Sequence, residues 1–553
     1  MTDTTAGLVQ LGLLFAALAV VYKPLGDYMA RVFSTEKHLK LEKGLYKLFR
    51  VHPDSEQRWP TYAAGVLGFS FVSVVLLYLL QRLQPILPWN LGRGSVSPGV
   101  AFNTAISFVT NTNWQSYVPE TTMGHFVQMA GLTVQNFLSA GVGLAVAIAL
   151  TRGFIRSRTD RLGNFWVDLT RGTIRVLLPM AFVFAIVLVA LGVVQSLKAG
   201  VAVTNPDGSR STIALAPAAS QEAIKELGTN GGGILNANSA HPFENPSAWT
   251  NLIELFLILV IPVSLTRTFG KLVGKPKQGY VLLGVMGLLW AASLAVIWFS
   301  EAKASNPAAL AAGASMEGKE QRFGLSLTSI FADTTTGTST GAVNGAHDSL
   351  SGLGGGGPLL NILYGEISPG GVGTGLYGIL VMAIIAMFLA GLMVGRTPEY
   401  LGKKLGKREV TAAAISMLAM PTVVLIGSGI ALMLPGTAGA LGNSGAHGLS
   451  EILYGYASTG NNNGSAFGGL TATSDWFQSS FGVAMALGRF IPIVAVLCLA
   501  GSLAAQKKVP ETAGTLPTTG PLFATMLTGT VVLVAALTFI PALALGPIAE
   551  ALA

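Results

Sequence analysis

The stretch TGNNNGSAF, from Thr459 to Phe467, sets three asparagines and a Gly-Ser pair between two long apolar segments. Irregular backbone at membrane depth persists only where protein buries it or a watery path runs beside it. Gly464 can take a positive φ and turn its carbonyl where a residue with a Cβ is hindered. The neighbouring Asn and Thr side chains add oxygen without charge. Neutral oxygens in a narrow place suit a dehydrated monovalent cation. Taken alone, the stretch reads equally as a polar surface loop. The sequence contains three more like it.

The surrounding chain is that of a polytopic membrane protein. Of its 553 residues, 51% are hydrophobic and 11% charged, against about 25% charged in soluble domains. Apolar runs long enough to cross a bilayer occur near 6–22, 62–80, 126–150, 173–195, 249–266, 279–299, 372–395, 411–434, 479–502 and 521–544. Residues 1–22 do not read as a signal peptide, because Asp3 precedes the apolar run and Lys and Arg do not. One cysteine, Cys498, excludes an intramolecular disulfide and a Cys-based metal cluster.

The net charge of +8 is a topology signal. Lys23, Arg31, Lys37, Lys40, Lys43, Lys47, Arg50 and Arg58 lie between spans 1 and 2. Arg152, Arg156, Arg158, Arg161 and Arg171 follow span 3, and Arg267, Lys271, Lys275 and Lys277 follow span 5. Arg396, Lys403, Lys404, Lys407 and Arg408 follow span 7, and Lys507 and Lys508 follow span 9. The opposite loops are poorer in base. This pattern puts both termini outside and excludes a nucleic-acid partner. Residues 23–60 mix charge with Leu39, Leu41, Leu45, Tyr46, Leu48 and Phe49, which suits either an interfacial amphipathic helix or a solvated loop.

The four oxygen-rich segments are AISFVTNTNWQ (Ala105–Gln115), AIKELGTNGGGILNANSAHP (Ala223–Pro242), SIFADTTTGTSTGAVN (Ser329–Asn344) and EILYGYASTGNNNGSAF (Glu451–Phe467). With Thr112, Gly231, Gly341 and Asn463 as reference points they are spaced 119, 110 and 122 residues apart. Each begins with a short apolar stretch of helical character, becomes small and polar, and lies between two spans. All four fall on one side, so the repeats are parallel; inverted repeats would alternate. The expected fold is an all-α membrane protein with ten transmembrane helices. Four parallel span–pore helix–filter–span repeats surround a pseudo-fourfold pore, with two extra spans. The expected units are 1–61 (first span and amphipathic segment), 62–150, 173–266, 279–395 and 411–506 (repeats 1 to 4), and 520–553 (last span).

TNTNWQ at 110–115, TNGGG at 229–233 with NANSAHPFENP ending at 246, STGAVN at 339–344 and NNNGSAF at 461–467 resemble the potassium-binding A subunits of the Kdp potassium-transporting ATPase. That family sits in a superfamily of potassium transporters built from four channel-like repeats. The resemblance covers essentially the whole chain. It implies a potassium-binding and translocating subunit, with K+ as transported ion and no nucleotide of its own. A separate P-type ATPase subunit and small single-span subunits are implied partners, in a bacterial inner membrane. By the same resemblance Asn111, Thr112 and Asn113 form the first filter strand, and Asn230, Gly231 and Gly232 the second. Ser339, Thr340 and Gly341 form the third, and Asn462, Asn463 and Gly464 the fourth. Gln115 supports the first. A self-sufficient potassium channel or symporter of the superfamily is the alternative.

The residues offer no catalytic chemistry. No phosphate-binding loop of the G-x-x-x-x-G-K-[ST] type is present. DTTTGT, Asp333 to Thr338, resembles a P-type phosphorylation motif but lacks its Lys and falls on the outside. G-x-G-x-x-G matches at Gly352–Gly357 and Gly373–Gly378 carry little weight among 68 glycines. The histidines form no helical metal pair, and a polytopic transferase would need an interfacial cluster of Asp, Glu or His that the sequence does not offer. Arg175 falls just inside the start of span 4, and two deeper intramembrane charges remain; such groups are functional candidates by default. Glu254 lies in span 5. Arg489, in ALGRFIP of span 9, is expected roughly 15 Å into its helix, below the filter, as a gate. Snorkelling or an ion pair with Glu254 is the alternative.

Overall fold

A computed structural model describes residues 2–303, 307–510 and 515–553. Met1 and residues 304–306, which fall in the first unit and in repeat 3, lie outside the described residues. Among the described residues ten helices are long and apolar enough to cross a membrane: Asp3–Ser34, Trp59–Arg82, Val127–Ile155, Phe165–Ala190, Ala248–Leu272, Pro276–Ala302, Thr374–Met393, Lys407–Met433, Asp475–Ala505 and Pro521–Leu552. Each expected span falls on one of them.

Burial sorts them into two layers. The third span is 83% buried and the fifth and seventh are each 72% buried, whereas the first, second, fourth, eighth and tenth are 22–28% buried. The second span of a unit therefore lines the centre, and the first span faces the lipid. Small residues let the inner helices touch: a Cβ on Gly153 of the third span would meet the Ala500 backbone of the ninth at 2.8 Å. Close backbone approach of this kind replaces the hydrophobic driving force that lipid removes. Phe154 adds edge-on contacts to Phe269 and Tyr400, with ring centroids 6.0 and 5.5 Å apart.

Between the two spans of each unit a shorter helix enters: Pro98–Val109, Ala218–Leu227, Gly324–Gly337 and Gly445–Asn461. At the other end of the spans the Arg152 guanidinium grips the buried Asp168 carboxylate (Nη2 to Oδ1, 2.8 Å). Tyr62 Oη also donates to that carboxylate at 3.0 Å, so spans two, three and four share one polar joint. A buried pair of this kind is kept because losing one partner leaves an uncompensated charge, a cost of roughly 3–5 kcal/mol.

Three features depart from the expected spans. The first span runs to Ser34, through Lys23 and Pro24, instead of ending near residue 22. Its extension packs on the fifth span, where Gly26 abuts Arg267 and Asp27 accepts from Arg267 Nε at 2.9 Å. Residues Lys40–Leu48 are a helix with Glu42 and Tyr46 buried and Leu41 and Leu48 exposed, so this part of 23–60 is not a loop. The glycine-rich stretch Gly352–Leu363 is also helical. Residues 364–373 then interrupt the path to the seventh span, so the inner span of repeat 3 is broken.

The chain's last helix is clasped to repeats 3 and 4 by one histidine. His447 lies 2.9 Å from Glu550 through Nδ1 and 3.0 Å from Asp348 through Nε2. With both nitrogens facing carboxylates, the imidazole is held as a cation. The Asp348 and Glu550 hydrogen bonds push its pKa up to about 10, from an ordinary value of about 6.5. A raised pKa makes the clasp fully effective below about pH 6.5 and lost as pH rises through about 10. The melting temperature of wild type relative to His447→Gln is therefore expected to be highest at neutral pH and below, with the difference closing toward pH 10. A difference that is constant across that range would remove the clasp from the stability of this end.

Candidate functional site

The four polar segments meet at one place, and a repeated backbone bond sets each of them. The amides of Thr112, Asn230, Thr340 and Asn463 donate to the carbonyls of Ser107, Lys225, Thr335 and Ser458, at 2.9, 2.8, 3.0 and 2.8 Å. In each unit the acceptor lies five residues back, near the end of the short helix. The structural register thus aligns Thr112, Asn230, Thr340 and Asn463. In units 2 and 3 this is one residue earlier than the glycines that the sequence spacing used as references. The residue before each aligned position has a positive φ: Asn111 (66°), Thr229 (47°), Ser339 (55°) and Asn462 (66°). The residue after it does so in strands 1, 3 and 4, at Asn113 (59°), Gly341 (80°) and Gly464 (102°).

Alternating handedness of this kind presents successive carbonyls to one side. The strands then close into a ring. A Cβ on Gly464 would lie 1.9 Å from the Thr112 carbonyl oxygen, one on Gly341 2.2 Å from that of Asn463, and one on Gly231 2.2 Å from that of Thr340. Strands 1, 4, 3 and 2 are therefore neighbours in that order. Strands 2 and 1 close the circuit: a Cβ on Gly232 would stand 3.1 Å from the Asn113 carbonyl, and Asn111 Nδ2 donates to the Thr229 carbonyl at 2.8 Å.

Side chains brace the ring from behind. Asn462 Nδ2 donates to Thr112 Oγ1 (2.9 Å) and Asn463 Nδ2 to the Thr335 carbonyl (3.1 Å). Asn230 Nδ2 donates to Asn111 Oδ1 at 2.7 Å. Gln115 joins strands 1 and 2 twice: it accepts from the Gly233 amide at 2.9 Å and donates to the Gly233 carbonyl at 3.0 Å. Thr110 and Thr338 contact Thr112 and Thr340 through their hydroxyls, at 2.8 and 2.7 Å. All twelve filter residues expected from the sequence thus come together here. Gly232 stands apart within the group, because its carbonyl accepts from Lys225 Nζ at 3.0 Å.

The interruption at 364–373 lies against the ring. The Gly337 carbonyl, just before strand 3, accepts from the amides of Ser368 and Gly370, at 3.2 and 2.8 Å, and the Val372 amide donates to Thr229 Oγ1 at 2.8 Å. A Cβ on Gly143, in the third span, would stand 2.2 Å from the Val372 carbonyl and 3.7 Å from Arg489 Nη2. The segment therefore packs against the starts of strands 2 and 3, with Arg489 beside it. Its Glu366 is buried next to Ser339 and Asn463 and lies within electrostatic reach of Arg489, although among the described residues no ion pair joins the two. A cavity of about 120 Å³ opens from this level, lined by Ser339, Asn461, Asn462 and Arg489 and, farther out, by Met417, Val534 and Thr538.

Arg489 is 5% exposed, so it does not snorkel to a surface. Its helix starts at Asp475, which puts it roughly 21 Å along at 1.5 Å per residue, deeper than expected. Glu254 is not its partner: among the described residues no ion pair joins them. Glu254 instead sits with Glu222 and Glu226, their carboxylate oxygens within 4.8 Å of one another. The sequence signal for Glu366 and the interruption is the run of Gly and Pro from 365 to 373, at the start of the apolar run expected at 372–395. Asp333 is buried in the third short helix and accepts from Asn361 Nδ2 at 2.9 Å. A second acidic group, Asp348, His447 and Glu451, is already committed: Glu451 accepts from the Gly442 amide and Asn443.

This geometry has relatives. The family model for the potassium-transporting ATPase A subunit matches residues 12–552. The potassium-transporting ATPase potassium-binding subunit of Rhodococcus erythropolis is 63% identical over 560 residues, all of both chains. That of Streptomyces coelicolor is 58% identical over 553 residues, again all of both. Among solved structures, the potassium transporter TrkH from Vibrio parahaemolyticus matches at a TM-score of 0.53 and 14% identity, covering 86% of this chain and 97% of that one; the likeness is one of fold. With its model matched over nearly all of the chain, the family is shown: this protein belongs to the potassium-transporting ATPase A subunits.

Proposed function

We propose that the chain is the potassium-binding and translocating subunit of an ATP-driven uptake complex. The closed ring of backbone carbonyls carries this reading. Its oxygens are neutral, and its strands meet closely at Gly231, Gly341 and Gly464, which suits an ion that must shed water and regain it. The ring is formed by Asn111, Thr112 and Asn113, by Asn230, Gly231 and Gly232, by Ser339, Thr340 and Gly341, and by Asn462, Asn463 and Gly464, with Gln115 as brace. Units 62–150, 173–266, 279–395 and 411–506 are its four repeats, and residues 1–61 and 520–553 pack outside them. Potassium enters from outside a bacterial inner membrane, where both termini lie, as the Lys and Arg distribution supports. Family membership favours this reading over a self-sufficient channel or symporter.

The partners are a P-type ATPase subunit, which spends the ATP, and small single-span subunits, in a lipid bilayer. Straight passage through the ring meets the 364–373 segment and the fixed charge of Arg489. Both raise the barrier to a cation moving on along the axis. The cavity beside them gives the ion a sideways exit, toward the partner. A pump needs that arrangement, because a straight open path would dissipate its gradient.

In the assembled complex Gly341→Asp is expected to raise the half-saturating K+ concentration about tenfold or more and to blunt discrimination against Na+, since it strains a positive φ and adds charge to the ring. Unchanged uptake at low K+ would remove strand 3 from the filter. Arg489→Gln is expected to increase ATP-independent K+ flux in vesicles or to lower the K+ moved per ATP. Wild-type flux together with wild-type coupling would show that Arg489 is not a barrier. The purified chain alone is expected to hydrolyse no ATP. Turnover that persists after a partner ATPase is shown to be absent would overturn the division of labour.

A further inference from the structure

The fourfold pattern of the ring is broken at one position by a buried charge. The four residues whose carbonyls seat the strands are Ser107, Lys225, Thr335 and Ser458. Three carry a hydroxyl and one an ammonium. Ser107 Oγ donates to the Trp114 carbonyl at 2.9 Å, two residues past Thr112. Lys225 Nζ donates to the Gly232 carbonyl at 3.0 Å, two residues past Asn230. The two bonds are equivalent in place and unequal in strength, since an ionised donor roughly doubles a hydrogen bond.

Lys225 is 1% exposed, and a lysine is almost never so buried unless paired. Glu222 holds it at 2.8 Å, Glu244 at 3.3 Å and Glu226 at 3.8 Å, with Asn238 Oδ1 at 3.0 Å. Behind it Glu254 is fully buried, and neither of its carboxylate oxygens has a hydrogen-bond partner. The cage also grips the chain that follows strand 2. Glu244 accepts from the amides of Ile234 and Leu235, at 3.1 and 2.8 Å, and Glu226 accepts from Ser239 Oγ at 3.3 Å. Strand 2 bears the mark of this pull: its positive φ falls on Gly232 (70°) rather than one position earlier, at Gly231, where the other three strands have it.

We infer that Lys225 is a positioning residue that sets the cation selectivity of the ring through strand 2. Its ammonium holds the Gly232 carbonyl, at the end of strand 2, in the place where a neutral hydroxyl holds the one past strand 1, and keeps a fixed positive charge behind one quadrant. An ion in the ring therefore meets three strands seated by hydroxyl-bearing residues and one anchored by a charge, whose second positive φ falls one residue later. The charge's backing carboxylates keep it from repelling the ion outright. This rests on the filter reading above and specifies which side chain shapes it.

The test uses the assembled complex and K+-stimulated ATP hydrolysis, with Rb+ and Na+ as competing activators. Lys225→Met is expected to raise the half-activating K+ concentration about tenfold or more, the size of one lost charged hydrogen bond, and to flatten the K+ over Rb+ preference, with the maximal rate retained. The double variant Lys225→Met with Glu222→Gln removes one base and one acid, so the cage keeps its net charge. It is expected to assemble and to show the same loss of preference. Assembly of the double variant with wild-type half-activation and preference would overturn the inference, and so would its failure to assemble, which would make Lys225 a folding residue. Gly341→Asp, run beside them, separates the two ideas: if it is altered while the Lys225 variants are not, the ring stands and the role of Lys225 falls.

Discussion

Four amide-to-carbonyl bonds, each reaching back five residues to the end of a short buried helix, hold this protein's centre together. Each stops its helix and turns the next residues so that carbonyls face inward. The bond recurs at Thr112, Asn230, Thr340 and Asn463, and the ring needs all four strands at van der Waals distance. That requirement explains Gly231, Gly341 and Gly464, whose missing Cβ atoms would each lie within 2.2 Å of a neighbouring carbonyl oxygen. It also explains the inner layer of spans. Polar backbone at this depth is stable only inside protein, so the spans that surround it are the most buried ones.

A ring of backbone carbonyls is costly to bury, and its stiffness has to come from elsewhere. Asparagines supply it. Asn111, Asn230, Asn462 and Asn463 each donate to a neighbouring strand or short helix, and Gln115 does so between strands 1 and 2. Neutral amides brace the ring without adding a charge that would trap or repel an ion. Charge appears at two places beside it: Lys225 in its carboxylate cage, and Arg489 and Glu366 at the 364–373 segment. Under the proposals above, the first bears on how the ring is shaped and the second on where an ion can go next.

The spans were legible because lipid demands long apolar runs, and the four units because each repeats the same order of apolar, helical and polar character. The register was not fully legible. Glycine draws the eye as a marker of φ > 0, yet the aligned residues in units 2 and 3 are Asn230 and Thr340, whose backbone amides make the seating bond. The helix Gly352–Leu363 was missed because each Gly costs about 1 kcal/mol of helix propensity. Here close packing wins, since Gly354 and Gly357 lie against Glu301 and Ile297. The first span outran its expected end for a like reason: Lys23 and Pro24 signal a stop, and packing on the fifth span overrides it. The cage around Lys225 was only half legible: Glu222 and Glu226 share its helix at i,i+4 spacing, whereas Glu244 and Glu254 join them only in space. The placement of Glu366 near Arg489 was not legible either, since nothing in the sequence ranks it above Glu254.

The central claim is that a monovalent cation sits within the four strands. Thallium, a potassium mimic with strong anomalous scattering, tests it directly in crystals of the assembled complex. The expected result is an anomalous peak inside the ring, among the carbonyls of the strands at Thr112, Asn230, Thr340 and Asn463, that disappears when excess K+ is restored but survives excess Na+. An empty ring with thallium bound elsewhere along the chain, or a peak that Na+ displaces as readily as K+, would contradict it.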